Sequence, residues 1–289
     1  VGKPKVKRIH HFKRSCRSRD ALVHEGVHPM ATALLQPTET ETPSADATSN
    51  VDCEALPKKR RIARTYFLIM ALISLAAIIT TAVLAVMNPT ATVTPDPATN
   101  GAVMVTFQVL SYFTVLSNIL VMTIGFMLFR NPNRTGRLFR IVHFDALIMI
   151  TVTGLVFALV LAPLTHPVGL NILANAGLHY IAPPMFVLGW ALFGPRPTFS
   201  LKLLGQSLII PSVWVVYTLI HGAIISWYPY PFLNVTTLGY GTVAINLVVI
   251  TFGALAIGAF YLGIGSLVAR VKARRTTDQT AARELVTAS

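Results

Sequence analysis

The chain has 289 residues, 53% of them apolar and only 12% charged, with a formal net charge of +13. An ordinary soluble domain carries about 25% charged residues, so that class is excluded. The positive charge does not point to nucleic acid either, because the basic residues flank long apolar stretches, where anionic lipid head groups are the expected counter-charge.

The first 60 residues are rich in Lys and Arg and then in Thr, Ser, Pro and acids (QPTETETPSADATSN). With little to bury, residues 1–60 are expected to be a disordered cytoplasmic region. The chain opens on Val1, and Met30 begins a sequence that itself reads as a start. His10, His11, His24, His28 and Cys16 lack metal-ligand spacing, so no metal site or cofactor is expected there, and Cys16 and Cys53 read as free thiols.

Six apolar stretches follow, at 66–87, 107–129, 144–164, 172–193, 204–225 and 242–269. Each can cross a hydrocarbon core, which takes about 20 residues at 1.5 Å rise. The first follows a basic region and ends near Ala82–Ala85 in the manner of a signal peptide, but its apolar run exceeds the usual 7 to 15 residues and reads as a span. Segments 88–105, 165–171 and 226–241 carry no Lys or Arg, whereas PKKRRIAR, RNPNRTGRLFR, GPRPTFSLK and ARVKARR carry nearly all the positive charge outside the first 20 residues. The positive-inside rule then predicts an all-α polytopic membrane protein with six transmembrane helices and both termini in the cytoplasm. It would consist of a transmembrane domain over 65–270 and a basic tail over 271–289, with the plasma or inner membrane as its location and membrane lipids as its partners.

Polar side chains inside a span are costly without a partner and therefore point to function. The second span places Thr114, Ser117 and Asn118 on one face, at i, i+3 and i+4. The fourth places Asn175 and His179 one turn apart, followed by Tyr180. The fifth carries Trp214, Tyr217, Thr218 and His221 on roughly one stripe, and the sixth carries Asn246. Thr114 lies about seven residues from the outer boundary, roughly 10 Å, and His179 at nearly the same depth. Pro183 and Pro184 remove the helical partners of the His179 and Tyr180 carbonyls, so a kink and a polar pocket are expected beside His179.

His221 is expected at the interface, in an aromatic belt with Trp227 and Tyr228. The Tyr-Pro-Tyr-Pro run at 228–231 should form a rigid outer loop with its rings in the same belt; as a lid, Tyr228 and Tyr230 would cover the pocket mouth. Asp145 is the only acid within a span and is expected to pair with Arg140 or Arg137. No deeper acids, internal repeat, Gly-rich phosphate loop, HExxH or GxSxG is present, which leaves ion-coupled or ATP-driven transport, zinc proteolysis and serine hydrolysis by those routes unsupported.

FTVLSN (113–118), NAGLHYIAPP around His179, and WYPYPFLN (227–234) followed by LGYG resemble the bacterial Pr6Pr integral membrane proteins over roughly residues 65 to 270. These are distantly similar to the FAR-17a/AIG1-like family, which includes the androgen-dependent regulator of tissue factor pathway inhibitor. In the eukaryotic members a threonine in an early span and a histidine in a later one hydrolyse fatty acid esters of hydroxy fatty acids. The resemblance implies Thr114 as nucleophile and His179 as its base, with Ser117, Asn118, Asn175, Tyr180, Tyr217 and His221 as the substrate-binding surroundings. No acid lies at that depth, so Tyr180, Tyr217 or a freed carbonyl is expected to orient His179. A non-catalytic lipid- or small-molecule-binding membrane protein and a transporter are the alternative readings.

Overall fold

The computed structural model describes residues 46–87, 101–194, 196–198 and 200–288. The four N-terminal histidines, Cys16, Met30 and the Cys53 side chain lie outside those residues. Among the described residues the chain is all helix and turn, with no strand. In order come α1 (Asp46–Met87), α2 (Ala102–Leu110), α3 (Phe113–Arg130), α4 (Arg137–Val156), α5 (Leu170–Asn175), α6 (Ala182–Phe193), α7 (Leu201–Gln206), α8 (Ile209–Ile225) and α9 (Val235–Ala288). Helix α1 begins inside the segment read as disordered up to residue 60.

Among the described residues six segments are long and apolar enough to cross a membrane: Lys58–Met87, Phe113–Arg130, Arg137–Leu164, Leu170–Phe193, Leu201–Ile225 and Val235–Thr280. The fold is thus all-α and polytopic, as the apolar pattern predicts. A backbone in hydrocarbon must satisfy its own hydrogen bonds, and helices do so within each segment.

The second span departs from the expectation of one helix from residue 107. The chain breaks between α2 and α3, where Ser111 is helical (φ −79°, ψ −12°) and Tyr112 extended (φ −67°, ψ 133°). Tertiary contacts hold this break. The Trp214 indole N–H donates to the Ser111 carbonyl at 2.8 Å, and the Ser111 and Tyr217 hydroxyls meet at 2.6 Å. Span six has a smaller break near its start at Gly239, whose φ of +74° suits glycine.

The bundle is unevenly packed. About 44% of α3 is buried, against 11% of the most apolar part of the fifth and sixth spans, so α3 is central while α8 and α9 leave broad apolar faces for lipid. Phe67, Met70, Ile124, Leu128, Phe144, Leu147, Phe186 and Trp190 join α1, α3, α4 and α6 toward the basic end. Ala77, Val105, Val109, Val115 and Leu178 fill the other end. Lipid tails give no hydrophobic drive between helices, so close backbone approach matters more. A Cβ built on Gly177 would lie 2.7 Å from Cβ of Ala77 in α1. Gly177→Leu should therefore destabilise the bundle by about 1–3 kcal/mol, the usual range for overpacking, and thermal melting in detergent should show a lower Tm than wild type.

Asp145 corrects another expectation. It is 1% exposed, and neither carboxylate oxygen has a hydrogen-bond partner, while Arg137 and Arg140 are exposed. The α4 helix turns Asp145 into the core among apolar neighbours, away from those two arginines. His143 is likewise buried, between the rings of Phe139 and Phe186.

Candidate functional site

The break before α3 puts Thr114 in that helix's first turn, where backbone N–H groups have no intrahelical acceptor. The Thr114 N–H donates instead to the Tyr230 hydroxyl oxygen at 3.1 Å. Thr114 Oγ1 lies 3.2 Å from the same phenol and 3.2 Å from His179 Nε2. The two residues read from sequence at one depth are thus in direct contact.

His179 sits in a π-helical turn, Ala176–Ile181, that ends just before Pro183. A second π-helical turn, Phe157–Leu161, precedes Pro163 in the span that continues from α4. Each proline lacks an N–H, and the wider turn accommodates the missing bond, so the expected disturbance beside His179 takes the form of a π turn. The two π turns meet: the Phe157 ring stacks on His179 at 3.9 Å between centroids, 20° from parallel.

The tautomer follows from the partners. His179 Nδ1 faces the Asn175 carbonyl oxygen at 3.3 Å. A carbonyl can only accept, so Nδ1 carries the proton and Nε2 presents its lone pair to Thr114. The Thr114 O–H then donates to His179, and the Tyr230 O–H donates to Thr114 Oγ1. The Asn175 contribution is its backbone carbonyl, one turn back on the same helix.

Ser117 and Asn118 bond to backbone carbonyls. Ser117 Oγ donates to the Thr114 carbonyl at 2.9 Å, and Asn118 Nδ2 donates to it at 2.9 Å. Asn118 Nδ2 also donates to the Leu178 carbonyl at 3.2 Å, tying α3 to the residue before His179. Because Ser117 has spent its one proton, the 2.9 Å contact with Thr153 runs from the Thr153 hydroxyl to Ser117. These bonds hold the Thr114 backbone in place.

The remaining candidates stand farther off. Tyr180 is 54% exposed, with Phe157 against it at 5.4 Å. Tyr217 engages Ser111, at the break. His221 is half-buried, stacked on Tyr217 and flanked by Phe107 and Trp227.

The Tyr-Pro-Tyr-Pro loop departs from the belt expectation. Trp227 and Tyr230 are each only 7% exposed, and Tyr230 reaches inward to Thr114. Its ring stacks on Phe232 at 5.1 Å and meets Tyr112 edge-on at 5.5 Å. Burial pushes the Tyr230 phenol up to about 12, with the Thr114 hydrogen bonds pulling the other way, so it remains a donor. Phe157 and Thr153 are site residues that sequence reading missed, and Tyr230 reads in the sequence only as a belt or lid residue.

A cavity of about 360 Å³ opens beside this cluster, within the roughly 300–1,000 Å³ common for small-molecule sites. Thr114, Thr153 and Tyr230 are among its lining residues, together with Ile148 from α4, Ser212 from α8 and Leu247, Ile250 and Thr251 from α9. His179 touches Thr114 but is not itself part of the lining.

Together these features define a multi-pass integral membrane protein with a Thr–His–Tyr cluster beside a largely apolar cavity. Comparison with models of protein families, with curated proteins and with solved structures finds no match.

Proposed function

We propose that the protein is an intramembrane threonine hydrolase of fatty-acyl esters, with Thr114 as nucleophile and His179 as general base, the activity implied by its resemblance to the Pr6Pr and FAR-17a/AIG1-like proteins. The observation that carries this reading is the 3.2 Å contact from Thr114 Oγ1 to an Nε2 whose lone pair is set by the Asn175 carbonyl. A threonine hydroxyl is a poor nucleophile until a base within about 2.6–3.2 Å accepts its proton.

Thr114 Oγ1 attacks the ester carbonyl carbon while its proton moves to His179 Nε2. The Tyr230 O–H, released as Oγ1 becomes an ester oxygen, turns to the developing oxyanion. Collapse breaks the bond to the alkoxy group, which leaves with the proton from His179, and Thr114 holds the acyl chain as an ester. Water then gives a proton to His179, attacks the acyl carbonyl, and releases the fatty acid as Thr114 regains its hydrogen. The largely apolar lining of the cavity accommodates the acyl chain, and Thr153 lines the same cavity as Thr114.

One observation favours the non-catalytic, lipid-binding reading: the Thr114 hydroxyl already has two partners within the protein, as a purely structural residue would. Labelling with a serine/threonine-directed fluorophosphonate in detergent separates the two. Wild type and His221→Ala should label, whereas Thr114→Ala and His179→Ala should not. Failure of well-folded wild type to label under conditions that modify a control hydrolase would leave the binding reading in possession.

A further inference from the structure

A second cleft lies at the other end of the bundle from the Thr–His cluster and stands apart from the hydrolase reading. It encloses about 790 Å³ between the start of α1, the end of α3 with its following turn, and the end of α6. Four cations, Lys59, Arg60, Arg61 and Arg64, line it, and among the described residues no acid does. On a helix, Arg60 and Arg64 are one turn apart, as are Arg61 and Arg64, so like charges share a face and repel. An anion between them removes that repulsion.

Arg64 is already fixed for such a role. Its Nε donates to the Phe129 carbonyl at 2.8 Å, and its guanidinium lies over the Phe129 ring at 5.3 Å. The two terminal nitrogens of the fork remain for a phosphate, which guanidinium recognises in bidentate fashion. Asn133 lines the same mouth. Beneath the cations the lining becomes apolar, with Phe129 and Phe193. The Phe193 ring packs on Tyr66 at 5.5 Å and Phe67 at 6.0 Å, closing the cleft against the bundle.

The depth of the cleft identifies its ligand. The apolar spans Lys58–Met87 and Phe113–Arg130 begin and end at this level, where a bilayer places its head groups. Basic pockets between spans are the protein counterpart of anionic head groups. We infer that Lys59, Arg60, Arg61 and Arg64 form a binding site for the phosphate of an anionic phospholipid, whose acyl chains leave past Phe129 and Phe193 along the bundle. Soluble phosphate shares the head-group chemistry but has nothing to place against the two rings.

The test is thermal melting of the full chain in neutral detergent doped with phosphatidylglycerol, with phosphatidylcholine, or with inorganic phosphate alone. Arg60→Gln/Arg61→Gln removes two charges and keeps the Arg64 bond to Phe129. Arg274→Gln/Arg275→Gln removes two charges from the α9 tail, outside the cleft. Phosphatidylglycerol should raise the Tm of wild type and the tail variant, phosphatidylcholine should not, and the cleft variant should lose most of the rise. Equal loss in the two variants would mean diffuse attraction and overturn the site. An equal rise with inorganic phosphate would overturn the lipid as its source. If the cleft variant melts poorly even without lipid, Lys59→Gln/Arg61→Gln serves in its place, and a full phosphatidylglycerol shift there would likewise overturn the proposal.

Discussion

Thr114→Ala should lower hydrolysis of a long-chain fatty-acyl ester by at least about 10³-fold, while Thr114→Ser stays within about tenfold of wild type. The substitution to Ala removes only the hydroxyl and methyl. The amide N–H bonded to Tyr230 and the carbonyl held by Ser117 and Asn118 belong to the backbone and remain. Folding should therefore survive, at a cost of about 1 kcal/mol for the lost hydroxyl bonds. His179→Ala should fall by about 10²–10⁴-fold, the range for a general base. Because the two act as one unit, the double variant should be no slower than the worse single one. Turnover of purified, monodisperse protein is the measurement. Unchanged turnover in Thr114→Ala would sink the nucleophile assignment, and equal loss of folded protein in Thr114→Ala, His179→Ala and His221→Ala would favour packing roles for all three.

The sequence made the six spans legible because hydropathy and charge act over whole segments. A run that must lie in hydrocarbon shows it in every residue, and an error of a turn at either end leaves the pattern intact. The shared level of Thr114 and His179 was legible for a related reason, since depth is a count of residues along a known rise; their pairing came from the family resemblance, and the two side chains are in contact.

What failed to show depends on the third dimension. The break at Ser111–Tyr112 lies in apolar, helix-compatible sequence and is held by Trp214 and Tyr217 from a distant span. Tyr230 has the composition of an interfacial aromatic residue; only the path of the loop turns it inward. Ser117 and Asn118 were placed on the correct face, yet the face alone did not say that their bonds end on the Thr114 carbonyl. Asp145 marks the same limit, since its spacing from Arg137 and Arg140 permits a pair that the rotation of α4 does not make.

Tyr230→Phe should reduce kcat by about 10²–10³-fold with KM little changed, the loss expected for one oxyanion donor. Phe keeps the ring, so the stack on Phe232 and the edge contact with Tyr112 persist and the loop stays in place. Only the O–H goes. The Thr114 N–H then loses its acceptor, at a stability cost of roughly 1–3 kcal/mol that melting can measure separately from turnover. The pH profile gives an independent check. Burial raises the Tyr230 phenol to about 12, so its proton is retained well past the ordinary tyrosine value of about 10. Raising the pH through 10 should therefore leave wild-type kcat on a plateau, because the donor is lost only as the folded-state value is approached. An alkaline limb near 10 in wild type, absent from Tyr230→Phe, would show instead that the phenol is solvated in the working state and that the buried loop geometry is not the one in which catalysis occurs.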